Sequence, residues 1–274
     1  MTKKQKIISL IVTIMVVITV ILGYKICTKV DSAEVQLTNM MKYDKCEYDI
    51  NYKVTNGKDC YTMKLSGIKN ENTISLNMSD TNSDSLADII LYNNDLYVDM
   101  GKVSPYIVDN SKEYGKYFKG LEDMGYVLFN DTTISEIETL YSMKNNELEC
   151  MKGLGDKTKN MKEIIIKELS SDSHDSNVTN IDWVVAALHE SCSDTVVSSL
   201  LEGVSKSKLS NLGKNNIKIE LSRNDGTTFE IELKVKKLNE AKVMVPNKSI
   251  NLVDFTSRLM ENYIKLEGDS SGKR

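Results

Sequence analysis

Histidine is almost absent from this chain of 274 residues, which has only His174 and His189. Zinc sites and most serine- or cysteine-nucleophile mechanisms lean on an imidazole, so the scarcity narrows the chemistry at once. His189-Glu190 opens like a zinc-protease helix, but the second imidazole of that motif belongs where Ser193 stands. His174 lies in the polar run Asp172-Ser173-His174-Asp175, which reads as a solvated turn. Proline is equally scarce; Pro105 and Pro246 are the two, leaving long stretches free to form regular structure. The cysteines Cys27, Cys46, Cys60, Cys150 and Cys192 are odd in number and widely spaced, with no C-x-x-C and no zinc-ligand rhythm. Free thiols are expected, with a single disulfide as the alternative. Lipidation of Cys27 is not expected, because Gly23-Tyr24-Lys25-Ile26 lacks the small residues that lipoprotein processing wants.

Strong charge of either sign is also missing. The net charge is −4. Setting aside the three lysines of residues 1–24, 35 − 3 leaves 32 basic against 39 acidic residues, formally −7. A net negative domain without a basic stripe has no general attraction to phosphate backbones, so nucleic acid is excluded as a partner. Nucleophile motifs are thin. Ser205-Lys206-Ser207-Lys208 matches S-x-x-K, and Ser222-Arg223-Asn224 resembles S-x-N, but no K-T-G-like strand follows. Gly-x-Ser-x-Gly is absent, and Gly153-Leu154-Gly155-Asp156-Lys157 lacks the spacing of a phosphate cradle. Asp80, Asn82 and Asp84 open like a calcium loop. However, Ser85 stands where the sharp turn needs Gly, and Leu91 where a bidentate Glu belongs. A plain connecting loop is the reading. No enzyme, cofactor or metal is expected.

One long apolar run is present. Residues 7–24 carry no charge, near the minimum that crosses a hydrocarbon core of about 30 Å. Lys3, Lys4 and Lys6 precede it while Lys25 and Lys29 follow, a slight bias toward an inside N-terminus. A cleaved signal peptide is the rival, but Asp31-Ser32-Ala33 only weakly imitates a cleavage site. The expectation is a cytoplasmic tail (1–6), a single-pass anchor in the cell membrane (7–24) and an extracytoplasmic domain (28–267).

From Lys45 the period switches to two. Cys46, Tyr48, Ile50, Tyr52 and Val54 alternate with Glu47, Asp49, Asn51 and Lys53. An Asn56-Gly57 turn sets Tyr52 opposite Tyr61 and Ile50 opposite Met63. Asn70-Glu71 then sets Leu65 opposite Leu76 and Met63 opposite Met78. Asn93-Asn94 sets Leu91 opposite Leu96, Ile89 opposite Val98 and Ala87 opposite Met100. A one-residue slip would turn each apolar set to the wrong face, so the agreement predicts a five-stranded antiparallel meander over 45–101. A second β block over 217–245 pairs Leu221 with Phe229 and Ile219 with Ile231 around the loop Asn224-Asp225-Gly226. A third strand over 241–245 closes it.

Helices are expected elsewhere: a stripe of Ala33, Leu37, Met40 and Met41, a helical insert over 104–213, and a last helix over 250–266 capped by Ser249. Within the insert, 114–124, 134–143 and 157–169 read as helices, and 180–212 holds at least one long helix, with a break near Gly203 as the alternative. Residues 268–274 read as a disordered tail. The fold class is α+β, a curved antiparallel sheet packed on helices and preceded by one transmembrane helix.

The inner face of the sheet collects Tyr48, Tyr52, Tyr61, Met63, Met78 and Met100, the candidate ligand-binding residues. Flexible Met side chains pack irregular gaps and also suit adaptable apolar sites. A short helix at 33–41, followed by the alternating stretches 46–54, 61–67, 74–78 and 87–100, resembles the lipoprotein-carrier group of exported bacterial proteins. The tract Leu91-Tyr92-Asn93-Asn94-Asp95-Leu96-Tyr97-Val98-Asp99-Met100 also resembles a recurring hairpin in uncharacterised exported proteins of clostridia-like, Gram-positive bacteria. That resemblance implies a half-open sheet wrapped around helices, with an apolar cavity for lipid. It carries over no site residues. The tether and the insert over 104–213 depart from the group's pattern. The functional expectation is a membrane-tethered binding protein for an apolar or lipid-like ligand. The alternative is an interaction domain of a cell-envelope complex with a protein partner, and an enzyme of unidentified type comes third.

Overall fold

The computed structural model describes residues 32–80, 85–111, 114–141, 152–171, 178–191, 201–213 and 215–271. In chain order the first half contains α1 (Ala33–Met40), β1 (Lys45–Asn56), β2 (Asp59–Asn70), β3 (Thr73–Asp80), β4 (Ser85–Tyr92), β5 (Asp95–Asp99), α2 (Met100–Asn110), α3 (Gly115–Phe118), a 3-10 turn (Glu122–Met124), β6 (Tyr126–Phe129) and α4 (Asp131–Tyr141). The second half contains α5 (Leu154–Ser171), β7 (Val178–Asn180), α6 (Asp182–Ser191), β8 (Val204–Gly213), β9 (Asn216–Arg223), β10 (Thr228–Lys237), β11 (Ile250–Asn251) and α7 (Leu252–Ser271). The class is α+β with a large, mostly antiparallel sheet. The tail and anchor at 1–24 lie outside the described residues. Among those described, no helix is long and apolar enough to cross a membrane.

The described residues gather into two compact units, one of those within 32–74 and 155–243 and the other of those within 75–154 and 244–271. In the first, the strand order is β2-β1-β10-β9-β8-β7, antiparallel throughout. The alternation read from β1 holds: Cys46, Tyr48, Ile50, Tyr52 and Val54 are all buried. Their cross-strand neighbours on β10, Val235, Leu233, Ile231 and Phe229, are buried with them. Helix α1 packs on β7, β8 and β9, and α6 on β8. Ala33, Leu37, Met40 and Met41 of the α1 stripe are buried, so that reading stands.

The first hairpin is displaced from its expected register by two residues. Its loop is Gly57-Lys58, pairing Asn56 with Asp59, Tyr52 with Met63 and Ile50 with Leu65. Only the first loop residue has positive φ, with Gly57 at 59°, the pattern of a type II′ turn that wants Gly there. A two-residue shift preserves the faces, which is why the pattern could not detect it. Gly57→Ala is expected to lower stability by about 1 kcal/mol through strain at positive φ. Open space around the missing Cβ rules out a clash, so equilibrium urea unfolding reads the backbone term alone.

The second turn is likewise one residue late. Glu71 and Asn72 lie between β2 and β3, with Glu71 at φ 54°. The bulged loop Asn224-Asp225-Gly226 is as expected: Leu221 pairs with Phe229, Ile219 with Ile231, and Gly226 has φ 81°. Residues 241–245 are not a strand, correcting the proposed third member of that block. Its place beside β9 is taken by β8, which lies in the stretch expected to be a long helix. The insert over 104–213 therefore holds three strands, β6, β7 and β8, besides its helices.

In the second unit the order is β11-β6-β5-β4, with β6 and β11 parallel and the other pairs antiparallel. The Asn93-Asn94 hairpin has the expected register, Leu91 to Leu96 and Ile89 to Val98. Met100 does not continue it. Asp99 instead caps α2, its Oδ1 accepting from the Gly101 N–H at 2.9 Å, and Met100 begins that helix. Met100, Leu121, Met124, Val127, Ile134, Ile137, Leu252 and Phe255 form the core here. Asn130 and Thr133 cap α4 reciprocally, each side-chain oxygen accepting from the other's N–H at 3.0–3.1 Å. Helix α7 is capped by Asn251, not Ser249, its Oδ1 accepting from the Asp254 N–H at 2.7 Å. The helix continues to Ser271, so residues 268–271 belong to it and not to a loose tail.

Candidate functional site

Of the six residues nominated for apolar binding, Tyr48, Tyr52, Met63, Met78 and Met100 are between 1 and 4% exposed, and Tyr61 is half-buried. Tyr48, Tyr52, Tyr61 and Met63 come together on β1 and β2 of the first unit, where Tyr52 faces Met63 and Val54 faces Tyr61. The Tyr52 and Phe229 rings lie 6.4 Å apart at 31°. Met78 and Met100 belong to the second unit, and Met100 sits in its helical core.

Polar groups do converge beside the Asp80 loop. Asn77 Nδ2 donates to Ser85 Oγ and to Asp88 Oδ1, both at 2.6 Å. Lys102 Nζ donates to Ser85 Oγ at 3.2 Å and is ion-paired with Asp88 Oδ2. A serine beside a lysine suggests a Ser–Lys dyad, in which a neutral amine takes the hydroxyl proton. Here the ammonium is held by a carboxylate and donates to the serine, the reverse of the required proton flow. Burial, then the Asp88 and Asp99 carboxylates, push the Tyr126 phenol up and keep it neutral. Asn82 and Asp84 of the calcium-like opening, as well as His174, lie outside the described residues. His189 is exposed on α6.

The flagged Ser205–Lys208 tract lies on β8. Ser205 Oγ donates to the Ser222 carbonyl at 3.2 Å. Ser207 is buried, and its N–H and hydroxyl both donate to Asp182 Oδ1, at 2.5 and 2.6 Å. Desolvation pushes the Asp182 carboxyl up, but the hydrogen bonds from Ser207 and Asn180 outweigh it and hold it below its ordinary value. This is a strand-to-helix clasp. Cys46 and Cys60 are free thiols, the first buried and the second exposed. Beside Cys46, Lys69 is buried and donates to the Tyr43 carbonyl at 2.8 Å. Among the described residues no group of three or more His, Cys, Asp or Glu side chains could hold a metal.

The opposite, polar side of the first unit's sheet holds a depression of about 210 Å³ lined by Asp49, Asn51, Lys64, Asn216, Glu232 and Lys234. These residues were legible in the sequence only as the solvent half of the alternation, because pairing register, and not composition, brings them together. No protein-family model matches the chain, and no curated protein matches it.

Proposed function

We propose that this chain is a non-enzymatic, extracytoplasmic interaction module of the cell envelope, tethered by residues 7–24 and acting through its surfaces. The observation that carries the reading is the burial of Tyr48, Tyr52, Met63, Met78 and Met100. Side chains closed off from water serve as core, and an apolar ligand would have to displace their packing. Exposed apolar side chains gather instead on the last turns of α7, where Met260, Tyr263, Ile264 and Leu266 face solvent, Ile264 at 63% exposure. Spacings of three and four place Met260, Tyr263 and Ile264 on one stripe.

The test is native mass spectrometry of the detergent-purified full chain, with solvent extraction of bound lipid, beside photo-crosslinking from position 264 in the membrane. A ligand-free mass and a discrete protein adduct at 264, absent when the probe sits at the solvent-side residue Lys53, are expected. A stoichiometric apolar molecule that is lost on Met63→Ala would overturn the reading in favour of lipid binding.

A further inference from the structure

The polar face of the first unit's sheet is a ladder of charges in register. Across β1 and β10, Glu47 faces Lys236, Asp49 faces Lys234, Asn51 faces Glu232 and Lys53 faces Glu230. Both ends of this ladder are closed. Lys236 Nζ lies 3.3 Å from Glu47 Oε2. At the other end Lys53 and Lys218 both reach Glu230, at 2.8 Å each, and Lys218 also reaches Glu220 at 3.1 Å.

The middle rungs are open. Asp49 and Lys234 are direct cross-strand partners, yet they form no ion pair among the described residues. Lys218 stands opposite Glu232, but its ammonium is drawn to Glu230 and Glu220, leaving Glu232 without it. Lys64, opposite Asn51, has no carboxylate partner among the described residues either. These open groups and the amides of Asn51 and Asn216 line the 210 Å³ depression. Exposed ion pairs contribute little to stability, so leaving rungs open costs the fold little. What remains is a small recess offering two carboxylates, two ammonium groups and two amides.

We infer that this recess binds a small zwitterion, one that presents an ammonium to Asp49 and Glu232 and an anion to Lys64 and Lys234. A singly charged molecule satisfies half of the rung and leaves the opposite charges to water, since Asn51, Lys64, Glu232 and Lys234 are exposed and Asp49 and Asn216 half-buried. A ligand with both charges completes it. The volume is below the roughly 300 Å³ of drug-sized sites, which points to an amino-acid- or dipeptide-sized moiety. Aromatic side chains are missing from the lining, so flat sugar or base faces find no stacking platform. The inference is independent of the interaction-module reading, since it uses only the sheet's polar side.

Saturation-transfer NMR on the full chain in uncharged detergent micelles tests it, with glycylglycine and O-phosphoethanolamine as zwitterions and acetate and ethylamine as single-charge controls. At least one zwitterion is expected to bind with a millimolar Kd or tighter, about tenfold more tightly than either control. Asp49→Asn and Lys234→Ala each weaken it by about tenfold or more, while Lys236→Ala, on a closed rung, leaves it unchanged. Preference for O-phosphoethanolamine identifies the anion as phosphate, and preference for glycylglycine identifies it as carboxylate; both support the site. No zwitterion response at about 10 mM, single-charge probes binding equally well, or equal loss in Lys236→Ala overturns it.

Discussion

Tyr52→Ala is expected to destabilise the protein by about 3–5 kcal/mol, seen as a large fall in the urea midpoint with an unchanged slope. The ring is 2% exposed, stacks near Phe229 and lies between Met63 on β2 and Ile231 on β10. Truncation removes aromatic burial and leaves a cavity between strands whose hydrogen-bonded spacing stops them from collapsing inward. The same substitution separates the two readings of the sheet's apolar side. A residue that lined a standing ligand cavity would lose binding while stability changed by less than about 1 kcal/mol. That result would restore the lipid-carrying expectation.

Lys162→Met is expected to act in the opposite direction, stabilising the fold by about 2 kcal/mol at pH 7. Lys162, on α5, is 5% exposed. Burial foremost, then the charge of Lys69, push its ammonium down to about 8, with Glu163 and Asp44 pulling the other way. Unfolded, the same amine titrates near its ordinary value of 10.5. Between pH 8 and 10.5 the unfolded chain therefore keeps a proton that the folded chain has released. Stability from this group rises with pH across that window, and its penalty is complete below it.

The neighbouring thiol has the opposite sign. Burial pushes Cys46 up to about 11 against the opposing charge of Lys69, so its contribution is present below about 9 and lost as pH rises through 11. Urea unfolding at pH 7 and pH 9 therefore isolates the lysine. The advantage of the Met variant, whose side chain fills a similar volume, should shrink as pH rises. A variant less stable than the parent at pH 7 would show instead that the amine contributes more through its contacts than its charge costs.

The meander was legible because β1 alternates without exception: five apolar residues face inward and four polar ones face outward, so a face error was impossible. The position of its first turn was not legible. Asn-Gly fits a type I′ loop on its own, and only the backbone shows that Gly57 takes the first loop position. Strand β8 was hidden for a different reason. Its inward positions are Ser207 and Leu209, and the buried serine hydroxyl is held by Asp182, so a hydrogen bond stands where an apolar side chain would signal a strand. Register breaks between Val204 and Lys206 and between Asn211 and Gly213 erase the remaining period. Helix α2 was obscured by Pro105 in its interior, where a sequence reading starts a helix instead of continuing one. Four residues earlier stands Gly101, whose absent Cβ would lie 3.1 Å from the Glu122 carbonyl, so this turn accepts little else. The polar recess was invisible for want of register, since no spacing along one strand announces which charges lie opposite it.

Both units are discontinuous along the chain, and that orders events during synthesis. β1 acquires its second neighbour only when β10 emerges, and the Lys53–Glu230 contact joins residues 177 positions apart. The second unit's core waits for Leu252 and Phe255, made long after Met100, Val127 and Ile137, with which they pack. A growing polypeptide can therefore zip the β1–β2 hairpin early but must hold the other edge of β1 unpaired until β10 has been made, an open strand edge throughout that interval.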